Sequence, residues 1–186
     1  MGADVAPGTI LVDILESGHP ENYWQYEVQP TSGSVRKIKE EMFADYAHEN
    51  MPHVFLQPAG AIDACSSEPK ADSPDRRYLA YCKGSESGLS VADKKSTRVL
   101  SYWTPKEWRG IRGFAWAPNS QSVAILNMSS YYGKSPLERL SGLSGHPVPH
   151  DTIFLDVLDV RTSKTTEYVV RENVPYSFTR MLNWSP

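Results

Sequence analysis

Short apolar runs rich in β-branched and aromatic residues, each cut off by Pro, Gly, Asn, Asp or Ser, recur along the chain and predict strands rather than helices. The clearest unit is the run 152–160 (Thr-Ile-Phe-Leu-Asp-Val-Leu-Asp-Val), the polar turn 161–164 and the returning run 165–170, a hairpin. The same grammar appears in Tyr23–Gln29, turn 30–33 and return 34–38, and again in Gly88–Ala92, turn 93–96 and return 97–100. One window breaks the rule. Between Val35 and His48, Val35, Ile38, Met42, Phe43 and Tyr46 recur at intervals of three and four, which predicts at most a short helix near 40–47, or else an irregular connector between strands. From Met128 to His150 no period is sustained, and this stretch reads as a long loop of the kind that often carries function.

The strands are organised by a repeat. Ala71–Tyr81 (Ala-Asp-Ser-Pro-Asp-Arg-Arg-Tyr-Leu-Ala-Tyr) aligns with Ala115–Ile125 (Ala-Trp-Ala-Pro-Asn-Ser-Gln-Ser-Val-Ala-Ile), placing Pro74 and Pro118 44 positions apart. A third instance begins at Asn183-Trp184-Ser185-Pro186, 68 positions after Pro118, and the excess of 24 is nearly the length of the 128–150 loop. One insertion therefore restores the period. Proline presets φ at the first central turn position, Asp or Asn tolerates the conformation that follows, and the apolar run after it is a buried strand.

Units of roughly 40 to 50 residues holding four strands are the mark of propeller blades. The expected fold is thus all-β, a single domain of residues 1–186 built from β-propeller-like blades of four antiparallel strands. The blade-like units are 8–40, 61–100 and 111–170, with a last strand at 178–186, which makes about three blades plus a terminal strand. Propellers close with roughly four to eight blades, so the unit is partial, completed by oligomerisation of two chains, or an open stack. In a ring-closing scheme the strand 178–184 pairs with 10–15, joining the two ends.

Trp116-Ala117-Pro118-Asn119-Ser120 and Trp184-Ser185-Pro186 resemble the Trp-Ser-Pro-Asp-Gly repeat of TolB-like β-propellers, found also in the propeller domains of prolyl-oligopeptidase-like peptidases. Three positions depart from that pattern: Asp72 stands for the Trp in the first copy, and Arg76 and Ser120 stand for the Gly. The resemblance covers most of residues 60–186 and, through the strand grammar, residues 8–40. It implies a fold that hosts many roles. The peptidases it touches keep their catalytic triad in a separate α/β domain, which 186 residues of blade leave no room for.

Composition narrows function mainly by exclusion. A net charge of −3 without a Lys/Arg run lacks the electrostatic footprint of nucleic-acid binding. No apolar stretch approaches the roughly 20 residues of a membrane-spanning helix. Met1-Gly2-Ala3-Asp4 lacks a basic and apolar leader, which fits either a cytoplasmic protein or a mature periplasmic or extracellular form after signal removal, the latter being the expectation. Cys65 and Cys82 flank a turn-rich segment that would bring them together as a disulfide, adding about 3 kcal/mol by loop entropy, or leave them as two half-buried thiols.

Chemistry-bearing residues are sparse. His146 and His150 have a ligand-like spacing, but Pro147 and Pro149 forbid the helix that spacing needs, so no metal and no cofactor is expected. Ser141-Gly142-Leu143-Ser144-Gly145 does not form a nucleophile elbow. Trp103, Trp108, Tyr131 and Tyr132, with Tyr102, His146 and His150, form the candidate binding set around the 102–110 connector and the 128–150 loop, because rigid rings give contact area at small entropic cost. The alternative for the aromatics is packing between blades. The expected role is a non-catalytic protein-interaction module with a protein partner, a homo-oligomer completing the propeller being one form of it. The alternatives are the substrate-gating propeller portion of a serine hydrolase or peptidase and a carbohydrate-binding propeller.

Overall fold

The computed structural model describes residues 7–16, 21–43, 70–83, 86–106, 109–131, 150–175 and 177–185. Twelve strands are present and no helix among the described residues: β1 (Ile10–Glu16), β2 (Glu21–Gln29), β3 (Ser34–Phe43), β4 (Lys70–Asp72), β5 (Tyr78–Lys83), β6 (Glu86–Asp93), β7 (Val99–Trp103), β8 (Arg109–Trp116), β9 (Ser122–Tyr131), β10 (His150–Asp159), β11 (Thr165–Pro175) and β12 (Ser177–Trp184). They form three four-stranded antiparallel sheets, in the orders β12-β1-β2-β3, β4-β5-β6-β7 and β11-β10-β9-β8. The fold is all-β and its sheets are propeller-like blades.

The terminal strand is absorbed into the first blade. β12 lies against β1 in register Ile10↔Trp184 and Ile14↔Thr179, the pairing that ring closure calls for. The join reproduces the internal turns. In the second sheet the Ser73 N–H donates to Tyr78 O at 2.9 Å and the Arg76 N–H to Ser73 O at 2.7 Å; in the third, the Ala117 N–H donates to Ser122 O and the Ser120 N–H to Ala117 O, both at 2.9 Å. Across the chain ends, the Ser185 N–H donates to Thr9 O at 2.8 Å and the Gly8 N–H to Ser185 O at 3.1 Å. The serine hydroxyl repeats as well, accepting from Tyr78 N–H on Ser73 and from Thr9 N–H on Ser185. One turn geometry is thus built twice from continuous chain and once from two separate segments.

Three expectations are corrected. The 40–47 helix does not form over its first half, because β3 runs through Phe43 and pairs Glu21↔Phe43 with β2. Strand pairing along the full length of β2 outweighs a weak three-four periodicity. The 128–150 loop also shortens at both ends, since β9 extends to Tyr131 and β10 begins at His150, with His150 opposite Tyr131. Likewise Tyr102 and Trp103, assigned to a connector, are the last residues of β7.

The third sheet lies between the other two. One core joins Ile10, Val12, Ile14 and Trp24 of the first sheet to Leu126, Ile153 and Leu155 of the third. The other joins Cys82, Leu89, Val91 and Trp103 of the second sheet to Phe114, Val123, Ile125 and Leu158 of the third. Alternation explains the division: Val123 and Ile125 point one way from β9, Ala124 and Leu126 the other, and all four are 0% exposed. Val123, Ile125 and Leu126 each contribute about 1.5–3 kcal/mol by leaving water.

The turns carry local strain. Arg76 and Ser120, the residues standing where the resembling repeat has Gly, sit at φ 59° in the left-handed region, matching Gly8 at φ 77° in the rebuilt turn. A side chain there crowds the following carbonyl, which glycine avoids. Arg76→Gly keeps the backbone hydrogen bond to Ser73 and removes the crowding, so it is expected to stabilise the protein by about 0.5–1 kcal/mol in urea unfolding.

Candidate functional site

Polar side chains buried between blades are the places where this chain departs from ordinary packing, and they concentrate at the junction of the second and third sheets. The alternation of β7 turns Ser101 and Trp103 inward and Leu100 and Tyr102 outward. The Trp103 indole Nε1–H donates to Asp156 Oδ2 at 2.9 Å, crossing from one blade to the next. Asn127 of β9 donates from Nδ2 to the same oxygen at 3.1 Å. Asp156 is 4% exposed and Asn127 is 0%. Burial pushes the Asp156 carboxyl above the ordinary carboxylate range; the Trp103 hydrogen bond opposes this, Glu167 adds to it, and Arg109 and Asn127 oppose it.

A charged rim closes the junction toward solvent. Arg109 and Lys106 both pair with the Glu167 carboxylate, the latter at 2.8 Å. Burial pushes Glu167 up, but hydrogen bonds and charge from Lys106 and Arg109 outweigh it and hold the carboxyl below its usual range. The Arg109 guanidinium also stacks 3.5 Å over the Phe154 ring. At the turn end of the same junction, Asp75 N–H donates to Ser120 Oγ and Trp116 Nε1–H donates to Ala71 O, so the two blades are tied at both ends. A cleft of about 150 Å³ opens there among Asp75, Arg77, Asn119, Ser120 and Arg161. It is smaller than the roughly 300–1,000 Å³ of small-molecule sites.

The residues proposed from sequence are dispersed. Trp103 is 4% exposed, its indole committed to Asp156. Tyr131 and His150 become cross-strand partners at the open end of the third sheet. Trp108, Tyr132 and His146 lie outside the described residues, as does Ser144. Cys82 is buried on β5 and disulfide-bonded; the other cysteine of the sequence, Cys65, lies outside the described residues. Among the described residues no group of three His, Cys, Asp or Glu converges as a metal would need. Sequence reasoning passed over Asp156 and Asn127. The available signal was parity: Asp156 shares a strand face with Phe154 and Leu158, a carboxylate at an inward position.

No protein-family model and no curated protein matches the chain. Among solved structures, it is similar to the acylaminoacyl peptidase of Pyrococcus horikoshii in its orthorhombic crystal form, at TM-score 0.39 and 11% identity over 94% of this chain and 24% of that one. The uncomplexed form of that peptidase gives TM-score 0.37 and 12% identity over 92% and 23%. An oligogalacturonate lyase in complex with manganese gives TM-score 0.34 and 13% identity over 83% of this chain and 35% of that one. The chain spans 24%, 23% and 35% of the lengths of these three matches.

Removing the bridging donor isolates its contribution. Trp103→Phe keeps most of the ring volume and leaves Asp156 Oδ2 with one donor fewer, and is expected to cost about 1–3 kcal/mol in denaturant unfolding.

Proposed function

We propose that the chain is a non-catalytic protein-interaction module built on TolB-like propeller repeats, and that it binds through the outer face of its second sheet. The repeat register carries this reading. Aligning Pro74 with Pro118 sets Leu79 on Val123 and Tyr81 on Ile125. Val123 and Ile125 are buried against the preceding blade, whereas Leu79 and Tyr81 are only half-buried, on the face turned away from the third sheet. The same side of β7 adds Leu100 and Tyr102, 37% and 43% exposed. Between these larger residues β6 carries Ser90, opposite both Tyr81 and Tyr102, and Ala92, opposite Leu79. At Gly88 the Tyr102 ring lies so close that a Cβ would meet its hydroxyl at 2.2 Å. Small residues flanked by half-exposed tyrosine and leucine give this face the aromatic and aliphatic contact area that protein partners cover.

A disulfide at Cys82 supports an oxidising compartment, periplasmic or extracellular. The gating role in a hydrolase would use the same blades, but with a catalytic α/β domain as the partner. Tyr102 replaced by a photo-crosslinking phenylalanine analogue, in cells that express the chain, is expected to yield a covalent adduct with a protein. The same analogue at exposed Thr162 serves as control. Adducts at Thr162 equal to those at Tyr102, or none at Tyr102, contradict the reading, and an adduct with a hydrolase domain transfers it to the gating role.

A further inference from the structure

The Asp156–Asn127 pair holds two buried oxygens that its hydrogen bonds leave unsatisfied. Asn127 Nδ2–H already donates to Asp156 Oδ2 at 3.1 Å and approaches Ile125 O at 3.4 Å. Asp156 Oδ1 and Asn127 Oδ1 are both buried and, among the described residues, have no hydrogen-bond partner. An ionised carboxylate only accepts, and so does an amide oxygen, so neither atom can satisfy the other while Asp156 is charged. One added proton resolves both. With a hydrogen on Oδ1, the carboxyl becomes a donor to Asn127 Oδ1 while Oδ2 continues to accept from Asn127 and Trp103.

We propose that Asp156 is held as a carboxylic acid in the folded chain, closing a two-point acid–amide pair with Asn127, and that this proton is a pH-sensitive latch between β10 and β9 on the face of the third sheet that receives the Trp103 indole. The proton is taken from solvent on folding and is returned to solvent base when the carboxyl ionises; no other bond changes. The surroundings agree. β7 offers a neutral donor, Trp103, and β9 offers Asn127. The charged groups facing the pair are Glu167 on β11 and Arg109 on β8, and Arg109, like Lys106 of the segment after β7, is already paired with Glu167. Among the described residues no cation is therefore dedicated to Asp156.

Burial, the largest influence, raises the folded carboxyl above its ordinary value of 3.8. Between that value and the folded one, the folded chain holds a proton that the unfolded chain has lost, so stability falls as pH rises through the window. Asp156→Asn mimics the protonated acid: its amide donates where the acid donated, accepts where Oδ2 accepted, and carries no charge at any pH.

Two measurements on the full chain decide the matter. The Asp156 carboxyl carbon, followed by carbon-13 NMR in chain labelled at aspartate and assigned by its loss in Asp156→Asn, is expected to titrate with a midpoint above 3.8. A midpoint at or below 3.8 overturns the proposal and needs no variant to fold beyond the assignment. Urea unfolding of both proteins from about pH 4 to about pH 9 is expected to show Asp156→Asn gaining on the parent as pH rises. A variant weaker than the parent by the same margin at every pH would mean that Asp156 serves as an ionised acceptor, and the latch is wrong.

Discussion

Everything in this fold depends on a sheet that has both faces covered. A four-stranded blade with apolar residues on both sides cannot stand in water alone, and the third sheet meets that constraint by lying between the other two. Its strands carry Val123 and Ile125 toward one neighbour and Ala124 and Leu126 toward the other, without a polar face. The first and second sheets then each bury one face against it. Their remaining faces differ in character: the first sheet places Asp13, Tyr23 and Gln25 in a hydrogen-bonded group, while the second presents leucine and tyrosine around small residues.

The same constraint explains why polar atoms at the blade junctions matter. Burial between sheets removes water, so the indole of Trp103, the amide of Asn127 and the carboxyl of Asp156 must satisfy one another. Apolar contact alone tolerates sliding of one blade over the next. The directional bond from Trp103 to Asp156, with Trp116 to Ala71 and Ser120 to Asp75 at the turn end, fixes the register of the second blade on the third. Tyr168, whose hydroxyl donates to Pro30 O, and Arg171, stacked over Trp24, do the same between the third blade and the first.

Much of the architecture was legible in the sequence because its signals are local. Period-two alternation gives the hairpins of β2–β3 and β10–β11, and the Ser-Pro turn, with its fixed hydrogen bonds, repeats wherever its residues repeat. The return of β12 to β1 was also foreseeable, since a ring-closing scheme pairs the strand 178–184 with 10–15. The reach of β3 through Phe43 was not, because pairing with β2 is decided by a partner's length and not by the segment's own pattern. Trp103 was selected for its ring, but its partner lies 53 residues away, a distance at which periodicity carries no information. Asp156 was hidden for the converse reason: an aspartate in an apolar run reads as a solvent-facing position until the packing of the neighbouring blade is known.

Native-state hydrogen exchange tests the central claim most directly. With the third sheet covered on both faces, the amides of β9 and β10 from Val123 to Leu126 and from Ile153 to Leu155 should be the slowest to exchange, opening only with global unfolding, while those of the edge strands β3 and β7 exchange through smaller openings. Protection of β9 and β10 no greater than that of β3 and β7 would mean that the third sheet is not the buried centre of the stack.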